Sequence, residues 1–133
     1  MILLDTHALV WLSEGSQLLG ENALTLIDSA LKKNELFVAS ISFWEVAMLV
    51  EKNRLDMDLS VEAWRSNLMS GGLKELVLTG CIAIESAQLP DFHGDPADRI
   101  IVAAAINSGA TLCTADQKIL DWDHNFVRIN AKQ

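Results

Sequence analysis

The first seven residues, MILLDTH, constrain this chain most. Ile2 to Leu4 are apolar without alternation, the pattern of a strand buried on both faces, which belongs at the centre of a parallel sheet covered by helices. Asp5 is the first charge beyond it. Ligand crevices of open α/β sheets lie past the carboxyl ends of the strands, so an acid there is placed to do chemistry.

Further short apolar runs predict strands at Leu36–Ala39, Leu76–Leu78, Ala110–Cys113 and Phe126–Ile129. Between them the spacing predicts helices over Thr6–Glu14, Glu21–Lys33, Phe43–Lys52, Ser60–Ser70 and Ile84–Leu89. A further helix is opened by Pro96 and stopped by Gly109, and a helical turn follows over Gln117–Leu120. Strands alternating with helices indicate an α/β fold with a mainly parallel sheet. No repeat or linker interrupts residues 1–133, so a single domain is expected. The longest apolar run, Ile100–Ile106, is too short for a membrane, and Met1–Leu4 lacks a basic leader, so a soluble, cytoplasmic protein is expected. Cys81 and Cys113, far apart and in apolar surroundings, are expected to be buried thiols in a reducing compartment.

The formal net charge is −8, with five basic and ten acidic residues through Ser66 and five against eight after it. Unaided phosphate binding needs Lys and Arg, so a chain this acidic handles nucleic acid only with a cation or a partner to offset the repulsion.

Five acids stand at informative places, and each has a bland explanation. Asp5 would cap the helix that follows it. Glu45 lies three residues after Ser42, the spacing of a capping box. Asp95 before Pro96 is a helix cap, which leaves Asp98 only partly explained because like charges in one turn repel. Thr114 and Gln117 have capping-box spacing, which leaves Asp116 without a structural role. These explanations do not predict the pattern. Asp5 and Asp116 sit at strand ends, while Glu45 and Asp98 occupy first turns of helices. With right-handed crossovers all four fall on one edge of the sheet.

Four carboxylates brought together imply a cation, and oxygen ligands favour Mg²⁺ or Mn²⁺ over zinc. His7, His93 and His124 show no ligand spacing, although His7 is close enough to Asp5 to touch the site. The chemistry that follows is metal-assisted phosphodiester hydrolysis. Arg99, beside Asp98, would pair with a carboxylate or grip a phosphate.

LLDTH, SFWEVA, DPADRIIVAAA and TLCTAD, in that order, resemble the PIN domain and specifically VapC-type toxins of toxin–antitoxin pairs. The resemblance spans the whole chain. It implies a three-layer α/β/α sandwich and a metal-dependent endoribonuclease acting on RNA, with Asp5 and Asp98 as the surest ion ligands and Glu45 and Asp116 completing the pocket. Thr6, Ser42 and Thr114 match positions where the family keeps hydroxyls near the acids, and together with Arg99 they are the expected substrate-binding residues. The resemblance also implies a homodimer and an antitoxin threading a segment over the groove. One departure is Ala97, where the family often has a bulky residue. Asp91, Asp121 and Asp123 match no motif and read as surface charges. Trp44, Met48 and Leu49, on apolar helices, are either a groove for a partner helix or ordinary core.

Two rivals lack their signatures. A phosphoacceptor receiver domain wants adjacent acids early in the chain, and a haloacid-dehalogenase-like phosphatase wants acids two apart after the first strand, where His7 stands. A PIN-like binding module without catalysis is opposed by the presence of all four acids.

Overall fold

The computed structural model describes residues 1–133, with strands β1 (Ile2–Leu4), β2 (Leu36–Ala39), β3 (Lys74–Leu76), β4 (Thr111–Thr114) and β5 (Arg128–Asn130). They form one sheet of order β3-β2-β1-β4-β5, and every neighbouring pair is parallel. Leu3 and Leu4 are both fully buried, as a central strand covered on two faces requires. Each such leucine is worth about 1.5–3 kcal/mol over its exposed state, so even a three-residue strand is firmly seated.

The pleat divides the core. Ile2 and Leu4 point to a layer made by α1 (Thr6–Glu14), α2 (Glu21–Lys32), α3 (Ser40–Glu51) and α4 (Val61–Ser70), which contributes Leu9, Ile27, Val46 and Trp64. Leu3 points to the opposite layer, α5 (Gly80–Ala87), α6 (Pro96–Ser108) and α7 (Gln117–Leu120), with Ile82, Ile101 and Ile119. The result is the three-layer α/β/α sandwich with a parallel sheet. No helix is long and apolar enough to cross a membrane.

Register sets the working edge. Leu4 lies opposite Val38 on one side and Cys113 on the other, so the carboxyl ends of the three middle strands are level. Asp5 extends the ladder by donating its N–H to the Cys113 carbonyl at 2.9 Å. The chain steps outward from β1 to β2 to β3 and then returns to the far side of β1 as β4. The strand order therefore reverses between β1 and β4, which is where such sheets open a crevice.

The edges depart from expectation. β3 ends at Leu76 instead of starting there, and Val77 and Leu78 are exposed. β5 lies later than Phe126–Ile129. Both are edge strands with a single neighbour, so burial does not mark their limits as it does for β1. α5 starts early because the Thr79 hydroxyl accepts from the Ile82 N–H at 3.2 Å. Cys113 is buried as expected, but Cys81 is exposed, because it falls on the outer side of the first turn of α5.

Candidate active site

Asp5 links strand to helix. As the N-cap of α1 it accepts the Thr6 N–H at 2.8 Å through Oδ1, and its Oδ2 accepts the Thr114 hydroxyl at 2.6 Å. Thr114 Oγ1 in turn accepts the Asp116 N–H at 3.1 Å. One threonine thus ties the end of β1 to the end of β4 across the reversal point.

Glu45 arrives from α3. That helix begins at Ser40 with Ala39 as its cap and no side-chain bond there, so the expected Ser42–Glu45 capping box does not form. Glu45 is instead aimed across at α1, where its Oε1 meets the Thr6 hydroxyl at 2.5 Å. The same hydroxyl lies 2.9 Å from Ser42 Oγ. Thr6 has one proton to donate, so the consistent arrangement gives it to the carboxylate while Ser42 donates to Thr6.

Asp98 lies in the first turn of α6, beyond the Asp95 cap, whose Oδ1 accepts the Asp98 N–H at 3.1 Å. Its Oδ2 lies 2.7 Å from His93 Nε2. Asp116 does carry a structural role, as the cap of α7, where its Oδ1 accepts the Lys118 N–H at 2.9 Å, and the expected Thr114–Gln117 box is absent.

All four acids line one cavity of about 350 Å³, which also touches His7, Asp95 and Lys132. Burial, reinforced by the neighbouring acids, raises the pKa of three of them, Asp5, Glu45 and Asp98. Burial raises the Asp5 pKa against the relief of its Thr114 and Thr6 bonds, with Asp116 adding repulsion. Burial likewise raises Glu45, which the Thr6 bond opposes and the charges of Asp5, Asp98 and Asp95 reinforce. Asp98 is pushed up to about 6 by burial, with His93 pulling the other way and Asp5, Asp95 and Asp116 pushing further. Groups that repel one another's ionised forms hold a latent affinity for positive charge.

The carboxylate oxygens of the cavity suit a hard divalent cation. Ligand atoms of His93, Asp98 and Asp116 lie within 4.8 Å of one another, and Asp5 and Glu45 line the same cavity as the two aspartates without joining that trio. His93 stands there through its 2.7 Å contact with Asp98 Oδ2, a role that ligand spacing in the sequence did not disclose. Its clue is local: His93, Asp95, Pro96, Asp98 and Arg99 fall within seven residues.

The four expected substrate contacts are engaged within the protein. Thr6, Ser42 and Thr114 are buried, with hydroxyls committed to the carboxylates or to each other. Arg99 neither pairs with Asp98 nor has a free donor. Its Nε, Nη1 and Nη2 reach the carbonyls of Ser86, Phe92, His93, Ala87 and Leu89 at 2.9–3.4 Å, which uses all five guanidinium protons. Asp91, Asp121 and Asp123 are exposed, as surface charges should be.

A family model described as PIN domain matches residues 2–125. Ribonuclease VapC22 of Mycobacterium tuberculosis (strain ATCC 25618 / H37Rv) is 36% identical over 124 residues, covering 92% of each chain. Among solved structures, VapBC2 from Rickettsia felis bound to a promoter DNA fragment superposes with a TM-score of 0.71 at 20% identity, covering 98% of both chains. A toxin–antitoxin complex from Klebsiella pneumoniae gives 0.67 at 19% identity, covering 96% of both. At these identities the two structures speak for the fold.

Proposed function

The chain belongs to the PIN domain family, and from that premise we propose that it is a metal-dependent endoribonuclease, the toxin of a toxin–antitoxin pair. The observation that carries this reading is the meeting of Asp5, Glu45, Asp98 and Asp116 in one cavity at the reversal of strand order. The name of the M. tuberculosis relative supports ribonuclease activity, and the solved complexes support an antitoxin partner.

Asp5 and Asp98, completed by Glu45 and Asp116, would hold Mg²⁺ or Mn²⁺. Such an ion polarises a phosphoryl oxygen and lowers the pKa of water beside it. The rest is the work of the chain. Thr114 and the Thr6 N–H occupy both oxygens of Asp5, so that carboxylate keeps one orientation without the ion. The Thr6 hydroxyl steadies Glu45 through one oxygen, Oε1. Preset ligands need no reorganisation when substrate enters. The cation also resolves the charge conflict, because a chain of net charge −8 otherwise repels RNA.

The partner surface fits the same reading. A second cavity, between α1 and α4, has an apolar floor including Val10, Leu55, Met57 and Trp64 and acids at Glu14, Asp56 and Asp58. It suits an amphipathic segment with a basic rim. Trp44 is exposed while Met48 and Leu49 are half-buried, so of the three only Trp44 adds substantially to the open apolar surface. A single domain over residues 1–133, a homodimer and a cytoplasmic location complete the proposal.

The test is purified chain incubated with total cellular RNA. New ends should form with Mg²⁺ or Mn²⁺, stop with EDTA and return on adding metal back. Cleavage indifferent to chelation would remove the metal mechanism.

A further inference from the structure

Residues 88–95 join α5 to α6 without regular structure, yet the loop is clamped throughout. Arg99 holds the carbonyls of Leu89, Phe92 and His93 within it and those of Ser86 and Ala87 just before it. Trp122 donates its indole N–H to the Pro90 carbonyl at 2.9 Å. Phe92 is wedged between them, edge-on to Trp122 at 5.1 Å and under the Arg99 guanidinium at 5.8 Å. The His93 ring stacks on Phe92 at 4.3 Å and ends 2.7 Å from Asp98. An arginine that gives every proton to backbone carbonyls of one segment fixes a path, and here the path ends at an imidazole aimed at a carboxylate.

We propose that Arg99 and His93 form one positioning unit, in which Arg99 fixes the loop and the His93 Nε2–H holds Asp98 so that its other oxygen is presented to the ion. The inference rests on the nuclease reading and assigns His93 neither proton transfer nor direct ligation. Asp5 has two protein donors to orient it, whereas the Asp98 side chain has His93 alone. Partners that orient metal ligands are worth roughly 10–100-fold in metal affinity.

The probe is Mn²⁺ alone, titrated into the purified full chain and read by electron paramagnetic resonance, with melting curves and RNA cleavage in parallel. His93→Leu should weaken Mn²⁺ binding roughly 10–100-fold, with its cleavage returning toward the wild-type rate at saturating Mn²⁺. His93→Gln, whose amide nitrogen can stand in for Nε2–H, should stay within about threefold of wild type by the same measure. Arg99→Lys, with three donors for five carbonyls, should weaken Mn²⁺ in the same direction as His93→Leu. Binding by His93→Leu as tight as wild type overturns the inference alone, provided wild type binds Mn²⁺ and cuts RNA. A fall of His93→Gln to the level of His93→Leu also overturns it, because it would make the imidazole a ligand or proton carrier. A wild-type chain that neither binds Mn²⁺ nor cuts RNA brings down the nuclease reading and this inference together.

Discussion

The two sides of the acidic cavity are held by different means. On the Asp5 side the carboxylate is buried at a strand end, between a helix cap and the Thr114 hydroxyl, so sheet register itself sets its position. On the Asp98 side the carboxylate is half-buried in a helix first turn and oriented by a histidine from an irregular loop. One half of the site is therefore inherited from the sheet, while the other depends on side chains that brace a loop.

The largest expected effect breaks both halves alike. Asp5→Asn and Asp98→Asn should each lower RNA cleavage by ~10³-fold or more, since metal stabilisation of the transition state is worth several kcal/mol. Melting curves of metal-free protein then separate the halves. Asp98→Asn removes a charge that Asp5, Asp95 and Asp116 repel and should melt at or above wild type. Asp5→Asn sets an amide opposite a buried hydroxyl that needs an acceptor, at a cost of about 1–3 kcal/mol, and should melt below Asp98→Asn. Equal melting of the two variants would erase the distinction.

A smaller effect is the pH dependence of that gap. Asp98 titrates near 6 in the folded chain, against 3.8 for the free side chain. The folded state therefore holds this proton more tightly than the unfolded one. The contribution to stability is full below about pH 4 and is lost as pH rises through about 6. In EDTA, the melting advantage of Asp98→Asn over wild type should grow between about pH 4 and pH 6. A gap that stays constant would mean that burial and the neighbouring acids do not raise this carboxylate.

This contrast also explains what was legible in the sequence. The unbroken apolar run of β1 and the acids at strand ends pointed to the crevice, because register and crossover handedness leave little freedom there. The strand limits at Val77 and Val127 were not legible, since edge strands bury little. The capping spacing of Ser42 with Glu45 misled because α3 starts at Ser40, which aims Glu45 at Thr6 instead. The roles of Arg99 and His93 depend on the path of the loop over residues 88–95, which has no periodicity for a sequence to display.

On the proposed reading, four carboxylates from distant parts of the chain share a divalent ion. Anomalous scattering from a crystal soaked in Mn²⁺ would locate that ion. The predicted result is a peak in the cavity between β1 and β4, at roughly 2.0–2.3 Å from oxygens of Asp5 and Asp98. A peak bound only elsewhere on this acidic surface, with that cavity lacking density at the same Mn²⁺ concentration, would contradict it.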